Sequence, residues 1–313
     1  MYNLMMLKLL QHTLSKSVAI SGIGLHTGLK SNIVIKPAKE DQGIVFVRTD
    51  IKKNNKIKAN YKNVSSAKLC TTLENESGVK VSTVEHLLAA LYIYDIDNAV
   101  IEIDTEEVPI LDGSAKDFLN ELVNVDLKTQ NKKRRYLKIE RQVDLDDNGK
   151  TISIEPSNLS FNVEFKLNYD NKIIGRQKNS VNFNLDNLKD IYSSRTFCLF
   201  EDIKKIKKIG LAKGGSLENA IVVEKNKVLN DGGLRNKNEF VNHKILDLVG
   251  DFVLSGFRVL GKVKCYQGGH KLTNSFLRKL IKNKNAYSVK EIKDIQIPKK
   301  INSNQSLKIA VNA

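Results

Sequence analysis

The alternation of short strand-like runs with turn residues constrains the fold of this chain more than any other feature. Between residues 17 and 103 the runs SVAISGIGLHTG, SNIVIKPA, GIVFVRTD and NAVIEI alternate with turns, and one helical segment, STVEHLLAALYIY, interrupts them. A second helix is predicted over residues 114–124, after the turn LDGS. Strand-like runs resume after residue 136, and helical segments are predicted around residues 187–192, 201–208 and 273–284 and from Glu239 onward. Each half therefore supplies a sheet and about two helices, which predicts an α+β fold of two similar layers.

A length of 313 residues favours two domains. The segment DLKTQNKKRRYLK is charged and poor in apolar residues, which makes it the best candidate for a linker. We therefore predict a first α+β domain over residues 1–130, a basic linker over 131–135 and a second α+β domain over 136–288. Residues 289–313 form a Lys- and Asn-rich tail with little periodicity.

The chain carries 51 Lys and Arg against 35 Asp and Glu, a net charge of +16. This excess invites a nucleic acid, an anionic membrane surface or a phosphorylated substrate as partner, although heavy use of Lys throughout also explains it. Three widely separated cysteines, Cys70, Cys198 and Cys265, argue against a cysteine-rich zinc module and favour a reducing compartment. No apolar run is long enough for a transmembrane segment, so a cytoplasmic protein is expected, with peripheral membrane contact left open.

A polar stripe marks the predicted helix NEFVNHKILDLVGDFVLSG, at residues 238–256. His243, Asp247 and Asp251 are spaced four residues apart and share one face, opposite an apolar face. Such a stripe is normally solvated. His243 and Asp247, at i and i+4, can instead bind one cation between them.

A second histidine next to a carboxylate lies in the other half of the chain, where Glu85 precedes His86. Two histidines and one carboxylate with an open fourth position make a catalytic zinc site. The alternative is structural, because Ser82 and Glu85 also match a capping box at the start of a helix, with Ser82 or Thr83 as the N-cap.

Glycines flank two further histidines, His26 in GIGLHTG and His270 in QGGHKLTN. Backbone near glycine can approach a ligand closely, although flexible turns are an equally simple interpretation. These segments and KGGSLENAIV match neither a phosphate-binding loop nor a dinucleotide fingerprint.

Taken in order, GIGLHTG, STVEHLLAAL, PILDGSAKDF, SRTF, GGSLENAIVV, NEFVNHKILDLVGD and GGH resemble the UDP-3-O-acyl-N-acetylglucosamine deacetylase family, zinc enzymes of bacterial lipid A synthesis. The resemblance spans residues 22–270 and implies hydrolysis of the N-acetyl group of an acylated UDP-amino sugar, with Zn²⁺ as cofactor. It implies His86, His243 and Asp247 as metal ligands, Glu85 as general base, and His270 as the acid that also stabilises the oxyanion. Thr196 would help to polarise the reacting oxygen, and Asp251 would orient His270.

For substrate binding, the resemblance implies polar contacts from His26 and Lys244 and a passage for the acyl chain. The implied residues of this passage are Leu25, Phe197, Ile203, Ala212, Ser216, Ala220 and Val222. The implied fold packs two similar α+β domains helix layer to helix layer, with the active site between them. Gln267 stands where some family members carry Lys, which puts a diphosphate contact there in doubt.

Two alternatives compete with the deacetylase. A basic α+β nucleic-acid-binding protein would account for the net charge, but no aromatic-rich RNA-binding signature is present. A related metal hydrolase acting on another N-acylated sugar would use the same residues. For the deacetylase itself we expect a monomer that acts on a small-molecule substrate and binds no nucleic acid.

Overall fold

The computed structural model describes residues 8–157 and 159–292. In the first part of the chain the strands are β1 (Leu10–Leu14), β2 (Val18–Ile23), β3 (Lys30–Pro37), β4 (Ile44–Arg48), β5 (Lys56–Lys58), β6 (Val64–Ser66), β7 (Thr72–Glu74), β8 (Lys80–Val81), β9 (Ala99–Ile103) and β10 (Leu127–Lys133). The later strands are β11 (Tyr136–Ile139), β12 (Val143–Asp147), β13 (Lys150–Glu155), β14 (Phe161–Asn168), β15 (Arg176–Asn182), β16 (Phe197–Leu199), β17 (Ile221–Glu224), β18 (Lys227–Val228), β19 (Arg258–Tyr266) and β20 (Tyr287–Lys290).

The helices are α1 (Glu85–Ile93), α2 (Lys116–Leu122), α3 (Lys189–Tyr192), α4 (Phe200–Lys208), α5 (Glu239–Val253) and α6 (His270–Lys282), with a short 3₁₀ helix at Tyr61–Asn63. No helix among the described residues is long and apolar enough to cross a membrane.

Two main sheets organise the strands. The first has the order β2-β3-β9-β4-β5, and the second contains β12-β13-β19-β11-β20, with β14 pairing both β15 and β19. In the first sheet β3 alternates buried and half-buried residues, and Ile33 and Ile35 pair with Ile103 and Ile101 on β9. This period-2 pattern buries one face of the strand, as expected for a sheet covered on one side. Smaller sheets join β6-β7-β8, β16-β17-β18 and β1-β10.

Helices α1 and α5 pack against each other and position the candidate site. Eight consecutive residues of α1, from Glu85 to Tyr92, are buried, which is typical of a helix in the interior rather than on the surface. A Cβ on Gly250 of α5 would collide with the backbone carbonyl oxygen of Glu85, so only glycine permits this approach of the two helices. The polar stripe of α5 is therefore buried against α1, and the α+β fold class is confirmed.

The predicted cap of α1 is wrong. The residue before the helix is Val84, which makes no side-chain cap hydrogen bond. Thr83 has a φ of 56°, and its hydroxyl donates to Glu107 Oε1 at 2.9 Å. The Ser82 hydroxyl donates to the Glu106 carbonyl, so neither candidate cap faces the first turn.

The basic segment proposed as a linker is structured. Residues 127–133 form β10, which pairs antiparallel with β1, and Arg134 is buried. The α6 helix begins at His270, three residues earlier than predicted. Of the predicted tail, Val289 and Lys290 belong to β20, which pairs with β11, and residues 293–313 lie outside the described residues.

Candidate active site

Three buried side chains from two helices converge on one point. His86 comes from the first turn of α1, and His243 and Asp247 come from successive turns of α5. His86 Nε2 lies 3.4 Å and His243 Nε2 lies 3.2 Å from Asp247 Oδ1. One ligand atom from each residue lies within 4.8 Å of the others, so this cluster could hold a metal ion.

The donor set and its surroundings fit a zinc ion. Asp247 Oδ1 is buried without a hydrogen-bond partner, while Oδ2 accepts from Lys244 Nζ at 2.8 Å. His243 Nδ1 lies 3.0 Å from the Ser194 carbonyl oxygen, which leaves its Nε2 free to face the cluster. A buried carboxylate oxygen without a donor is costly unless a cation occupies the space beside it. Two imidazoles and one carboxylate match a catalytic zinc site with an open position.

A second group of side chains lies next to this cluster, with His270 Nε2 3.9 Å from Asp247 Oδ2. Glu85 Oε1 lies 3.5 Å from His270 Nε2, and His270 Nδ1 lies 2.8 Å from Asp251 Oδ2. Thr71 holds both carboxylates, because its backbone N–H donates to Glu85 Oε2 at 3.1 Å and its hydroxyl donates to Asp251 Oδ1 at 2.7 Å. The start of α1, the last turn of α5 and the start of α6 thus meet at one buried network.

Burial and neighbouring charges separate the pKa values of these groups. Burial raises the pKa of Glu85, partly opposed by His270 and His86. Burial also lowers the pKa of His243 to about 3, although Asp247 opposes this. For His270 burial lowers the pKa, but the charges of Asp251 and Glu85 outweigh it and raise the value to about 10. Such divergence between adjacent groups is typical of sites that transfer protons.

Thr196 is held at the same site by backbone contacts. Its N–H donates to the Gly113 carbonyl at 2.8 Å, and its own carbonyl accepts from Ile221 N at 2.7 Å. Gly113 has a φ of 81°, and a Cβ there would collide with the Asn219 carbonyl oxygen. Glycine is therefore required at this turn beside Thr196.

The polar part of the site is a cavity of about 30 Å³. Its lining residues are Leu25, His26, Leu69, Cys70, Thr83, Glu85, His86, Ile110, Thr196, His243, Lys244, Asp247 and His270. Asp251 lies behind His270, outside this lining, as its expected orienting role would require. Both ring nitrogens of His26 are buried without a hydrogen-bond partner among the described residues.

Comparison with known proteins agrees with this geometry. A family model described as LpxC, UDP-3-O-acyl N-acetylglycosamine deacetylase, matches residues 11–282. The chain belongs to this deacetylase family. A relative from Haemophilus influenzae (strain PittEE), named UDP-3-O-acyl-N-acetylglucosamine deacetylase, is 38% identical over 91% of this chain and 94% of its own length. A relative of the same name from Shewanella oneidensis is 41% identical, covering 89% of this chain and 92% of its own length.

Membership in the deacetylase family confirms the predicted resemblance and selects an enzyme with a small-molecule substrate over the nucleic-acid-binding alternative. The net charge of +16, which favoured that alternative, does not by itself identify a partner.

The residues expected to line the acyl passage lie mostly around α4 and the sheet β16-β17-β18. Phe197 lies on β16, with its ring centroid 6.4 Å from that of His243 and 5.6 Å from Lys244 Nζ. Ala220 and Val222 are buried at and beside β17, whereas Ile203 and Ala212 are half-buried and Ser216 is exposed. Leu25 lies near Gly215, which connects the passage residues to the polar cavity.

Gln267 has its side chain committed to the protein backbone. Its Oε1 accepts from the Asn168 backbone N–H at 3.0 Å, and its Nε2 donates to the Asn168 carbonyl. The doubt about a diphosphate contact at this position therefore has a structural reason, since both amide atoms are already hydrogen-bonded to the Asn168 backbone.

Several residues around the site were not identified from the sequence. Leu69, Cys70 and Ile110 line the cavity, and Thr83 was considered only as a helix cap. Thr71 and Glu107 support the site from outside its lining. Thr71, described above, holds Glu85 and Asp251. Glu107 is 1% exposed and accepts from His26 N at 2.8 Å, from Thr27 N and Oγ1 at 2.7 Å, and from the Thr83 hydroxyl. Neither Thr71 nor Glu107 lies at helical spacing from the predicted ligands. Their contacts join segments that are distant in the chain, so no local pattern indicates them. The only signal for Glu107 was its place just before the PILDGS motif.

Proposed function

We propose that this protein is a zinc-dependent amidohydrolase that removes the N-acetyl group of UDP-3-O-acyl-N-acetylglucosamine in lipid A biosynthesis. The convergence of His86, His243 and Asp247, with the partnerless Asp247 Oδ1 at its centre, carries this proposal. The relatives' printed names supply the substrate, and family membership supplies the reaction class.

In this mechanism His86 Nε2, His243 Nε2 and Asp247 Oδ1 would hold the zinc ion. Zinc bound there supplies Lewis-acid chemistry, lowering the pKa of a water and polarising the amide carbonyl. Lys244 keeps Asp247 oriented through Oδ2, and the Ser194 carbonyl keeps His243 in the tautomer that presents Nε2.

Glu85 acts as the general base. Its Oε2 is fixed by the Thr71 N–H, so Oε1 is the oxygen available to take a proton from water. The raised pKa of this buried carboxyl group makes it a better proton acceptor than an exposed glutamate. The hydroxide so formed adds to the carbonyl carbon of the acetyl group, and Thr196 helps to stabilise the negative charge that develops on the carbonyl oxygen.

His270 completes the reaction as general acid. Asp251 holds Nδ1, so a protonated His270 directs Nε2–H toward the reacting groups. When the C–N bond breaks, His270 gives its proton to the leaving nitrogen, and the products are acetate and the glucosamine amine. Transfer of the proton from Glu85 Oε1 to His270 Nε2, which lies 3.5 Å away, then restores the carboxylate and the imidazolium. The acetic acid formed loses its proton to solvent as it leaves as acetate.

For substrate binding we propose that His26 and Lys244 contact the polar head group. Two buried ring nitrogens without partners support this role for His26. The acyl chain would follow Leu25, Phe197, Ile203, Ala212, Ser216, Ala220 and Val222, whose positions around α4 and β17 support a passage leading away from the cavity.

The remaining parts of the proposal concern organisation. We propose two domains, at residues 1–130 and 136–288, packed through their helices; the contact of α1 with α5 at Gly250 supports this arrangement. A monomeric, cytoplasmic enzyme is proposed with it, and three free cysteines agree with a reducing compartment. Sedimentation velocity of the purified chain tests the monomer.

The test of the function is metal analysis combined with acetate release. The purified protein should contain about one zinc per chain, lose activity on chelation and regain it with added zinc. His86→Ala should bind little zinc and release no measurable acetate while its circular dichroism stays native. Full activity of the metal-free protein, or of His86→Ala, would show that the proposed mechanism is wrong.

A further inference from the structure

Thr71 lies in the turn between β6 and β7 and is 2% exposed, although the turn itself reaches the surface. Two residues earlier, Leu69 is 48% exposed and has a φ of 67°. A leucine rarely adopts this left-handed conformation, which persists only where neighbouring contacts hold the chain. Thr71 makes such contacts with the start of α1, because its N–H donates to Glu85 Oε2 at 3.1 Å and its carbonyl accepts from Val84 N at 3.4 Å.

Thr71, Asp251, His270 and Glu85 form a closed ring of contacts. The Thr71 hydroxyl donates to Asp251 Oδ1 at 2.7 Å, and Asp251 Oδ2 lies 2.8 Å from His270 Nδ1. His270 Nε2 lies 3.5 Å from Glu85 Oε1, and Glu85 Oε2 accepts from the Thr71 N–H. All four residues are at most 8% exposed. Each carboxylate therefore has one oxygen bonded to Thr71 and the other facing His270.

The orientation of the Asp251 carboxylate depends on the Thr71 hydroxyl. The terminal torsion of an aspartate is broad, so the helix backbone alone does not fix the plane of its two oxygens. Within residues 8–157 and 159–292, no donor to Asp251 Oδ1 other than Thr71 is found. Without this hydroxyl the buried oxygen would lack a partner, and rotation of the carboxylate toward a new partner would draw Oδ2 away from His270.

The Thr71 N–H acts on the other carboxylate of the ring. The segments that carry Glu85 and Asp251 approach closely, because Gly250 of α5 contacts the Glu85 backbone. Two buried carboxylates on adjacent segments repel each other, and a donor to each of them offsets part of that repulsion. One of these donors belongs to the backbone and the other to the side chain, so a substitution at Thr71 can remove the contact with Asp251 alone.

We propose that Thr71 is a positioning residue for the hydrolysis, whose hydroxyl holds Asp251 so that Oδ2 directs the His270 ring toward the leaving nitrogen. The inference rests on the proposed function, in which His270 is the general acid. The hydroxyl acts on the reaction through Asp251 and His270. Its loss should therefore slow the chemical step without weakening the binding of substrate or zinc.

The kinetics of Thr71→Val test this role, because valine keeps the branched shape and removes only the hydroxyl. We expect kcat to fall about 10–100-fold, with KM and zinc content changed by less than about twofold. Thr71→Ser keeps a hydroxyl and should restore kcat to within about threefold of the wild-type value. Thr72→Val makes the same change at the next residue, whose hydroxyl lies 3.9 Å from Cys70 Sγ, and should leave kcat unaltered.

Two kinetic results would contradict the positioning role. Equal losses in Thr71→Val and Thr71→Ser would mean that the hydroxyl is not the group that matters. A rise in KM or a loss of zinc in Thr71→Val, with kcat unchanged, would place Thr71 with the binding of substrate or metal instead.

Crystal structures of zinc-loaded Thr71→Val and Thr71→Ser give a test that needs no turnover. In Thr71→Val the separation of Asp251 Oδ2 and His270 Nδ1 should exceed about 3.5 Å, which is beyond a hydrogen bond. In Thr71→Ser it should stay near 2.8 Å. An unchanged separation in Thr71→Val would overturn the inference even if the wild type is an active deacetylase. A wild type that releases no acetate would contradict the proposed function, and the structural comparison would still decide whether Thr71 orients Asp251.

Discussion

Two buried charged clusters lie along the same pair of helices and differ in how their charges are balanced. Beyond the end of α1, Asp95 and Asp97 are paired with Arg134 and Arg258, at distances that include 2.8 Å from Arg134 Nη1 to Asp95 Oδ1. In the candidate active site, three carboxylates and three histidines share a buried space, and Asp247 Oδ1 has no hydrogen-bond partner.

The two clusters also differ in what shifts the pKa values of their residues. In the ion-pair cluster of Asp95, Asp97, Arg134 and Arg258, burial opposes ionisation, but the opposite charges outweigh it. They lower the pKa of Asp95 and raise that of Arg134. In the candidate active site, burial instead outweighs the neighbouring charges, raising the pKa of Glu85 and lowering that of His243. The first cluster is suited to stability and the second to proton transfer and metal binding.

The largest expected effect is on catalysis. Glu85→Gln keeps the shape of the side chain but removes the proton acceptor, so kcat/KM should fall about 10²–10⁴-fold. Zinc content should stay near that of the wild type, because Glu85 is not a proposed ligand. Removing a buried carboxylate that burial disfavours should not lower the free energy of unfolding.

The matched control is Glu76→Gln, at an exposed position in the same region of the chain. It should retain wild-type kinetics. If Glu85→Gln were as active as this control while binding zinc, Glu85 would not be the base. If Glu85→Gln instead unfolded at lower denaturant than the control, the site would resemble the ion-pair cluster more than we infer.

The next effect is on stability. Arg134→Met leaves Asp95 and Asp97 buried with one cation fewer, so the free energy of unfolding should fall by about 3–5 kcal/mol. The measurement is urea unfolding followed by circular dichroism. Arg135→Met, which alters a side chain that is 52% exposed, should cost less than about 1 kcal/mol. If both variants lowered the free energy of unfolding equally, the buried ion pairs of Arg134 would be no more important for stability than the exposed pair of Arg135.

The sequence predicted which residues come together at the candidate active site, but not why they are buried. Helical spacing placed His243, Asp247 and Asp251 on one face, but spacing alone favoured solvent for that face. The face is buried because α1 approaches at Gly250, a contact between segments about 165 residues apart that no local pattern reports. From the residues alone, a shared metal site for His86 and His243 was one of two interpretations, and the resemblance favoured it over the capping box.

The ion-pair cluster was not predicted at all. Arg134 lies in a stretch that reads as a charged linker, and its partners Asp95 and Asp97 lie in a turn about 40 residues earlier. The strand β10, which positions Arg134, pairs with β1 near the start of the chain. The composition around Arg134 indicates a solvated segment, because its burial arises only from pairing with a strand that is distant in the chain.

Asp95 and Glu85 are expected to change the stability of the protein in opposite directions as the pH falls. The folded pKa of Asp95 is depressed, so its ionisation stabilises the protein above its unfolded pKa of about 3.9, and this contribution is lost as pH falls below that value. Glu85 has a raised pKa, so its protonation favours the folded state as pH falls. Urea midpoints measured between pH 5 and 2.5 should therefore fall less steeply for Asp95→Asn than for the wild type, and more steeply for Glu85→Gln.

In both variants the comparison is of slopes rather than of absolute stability, since each substitution also changes packing or hydrogen bonding. Asp144→Asn, at an exposed position outside both clusters, serves as the control and should follow the wild-type slope. Parallel slopes for all four proteins would contradict the opposite signs inferred for Asp95 and Glu85.

The smallest expected effect concerns Glu107, a buried carboxylate that belongs to neither class. It has four donors from His26, Thr27 and Thr83 and no ion pair with a Lys or Arg among the described residues. Glu107→Gln replaces one acceptor oxygen by a donor facing these groups, which should loosen the loop that carries His26. We expect KM to rise about 3–10-fold, the equivalent of roughly 1 kcal/mol, with kcat and zinc content little changed.

The neighbouring Glu106→Gln, whose side chain is exposed, should leave KM unaltered. A loss of kcat or zinc in Glu107→Gln would instead mean that Glu107 maintains the metal ligands through Thr83, which would place it with the active-site cluster.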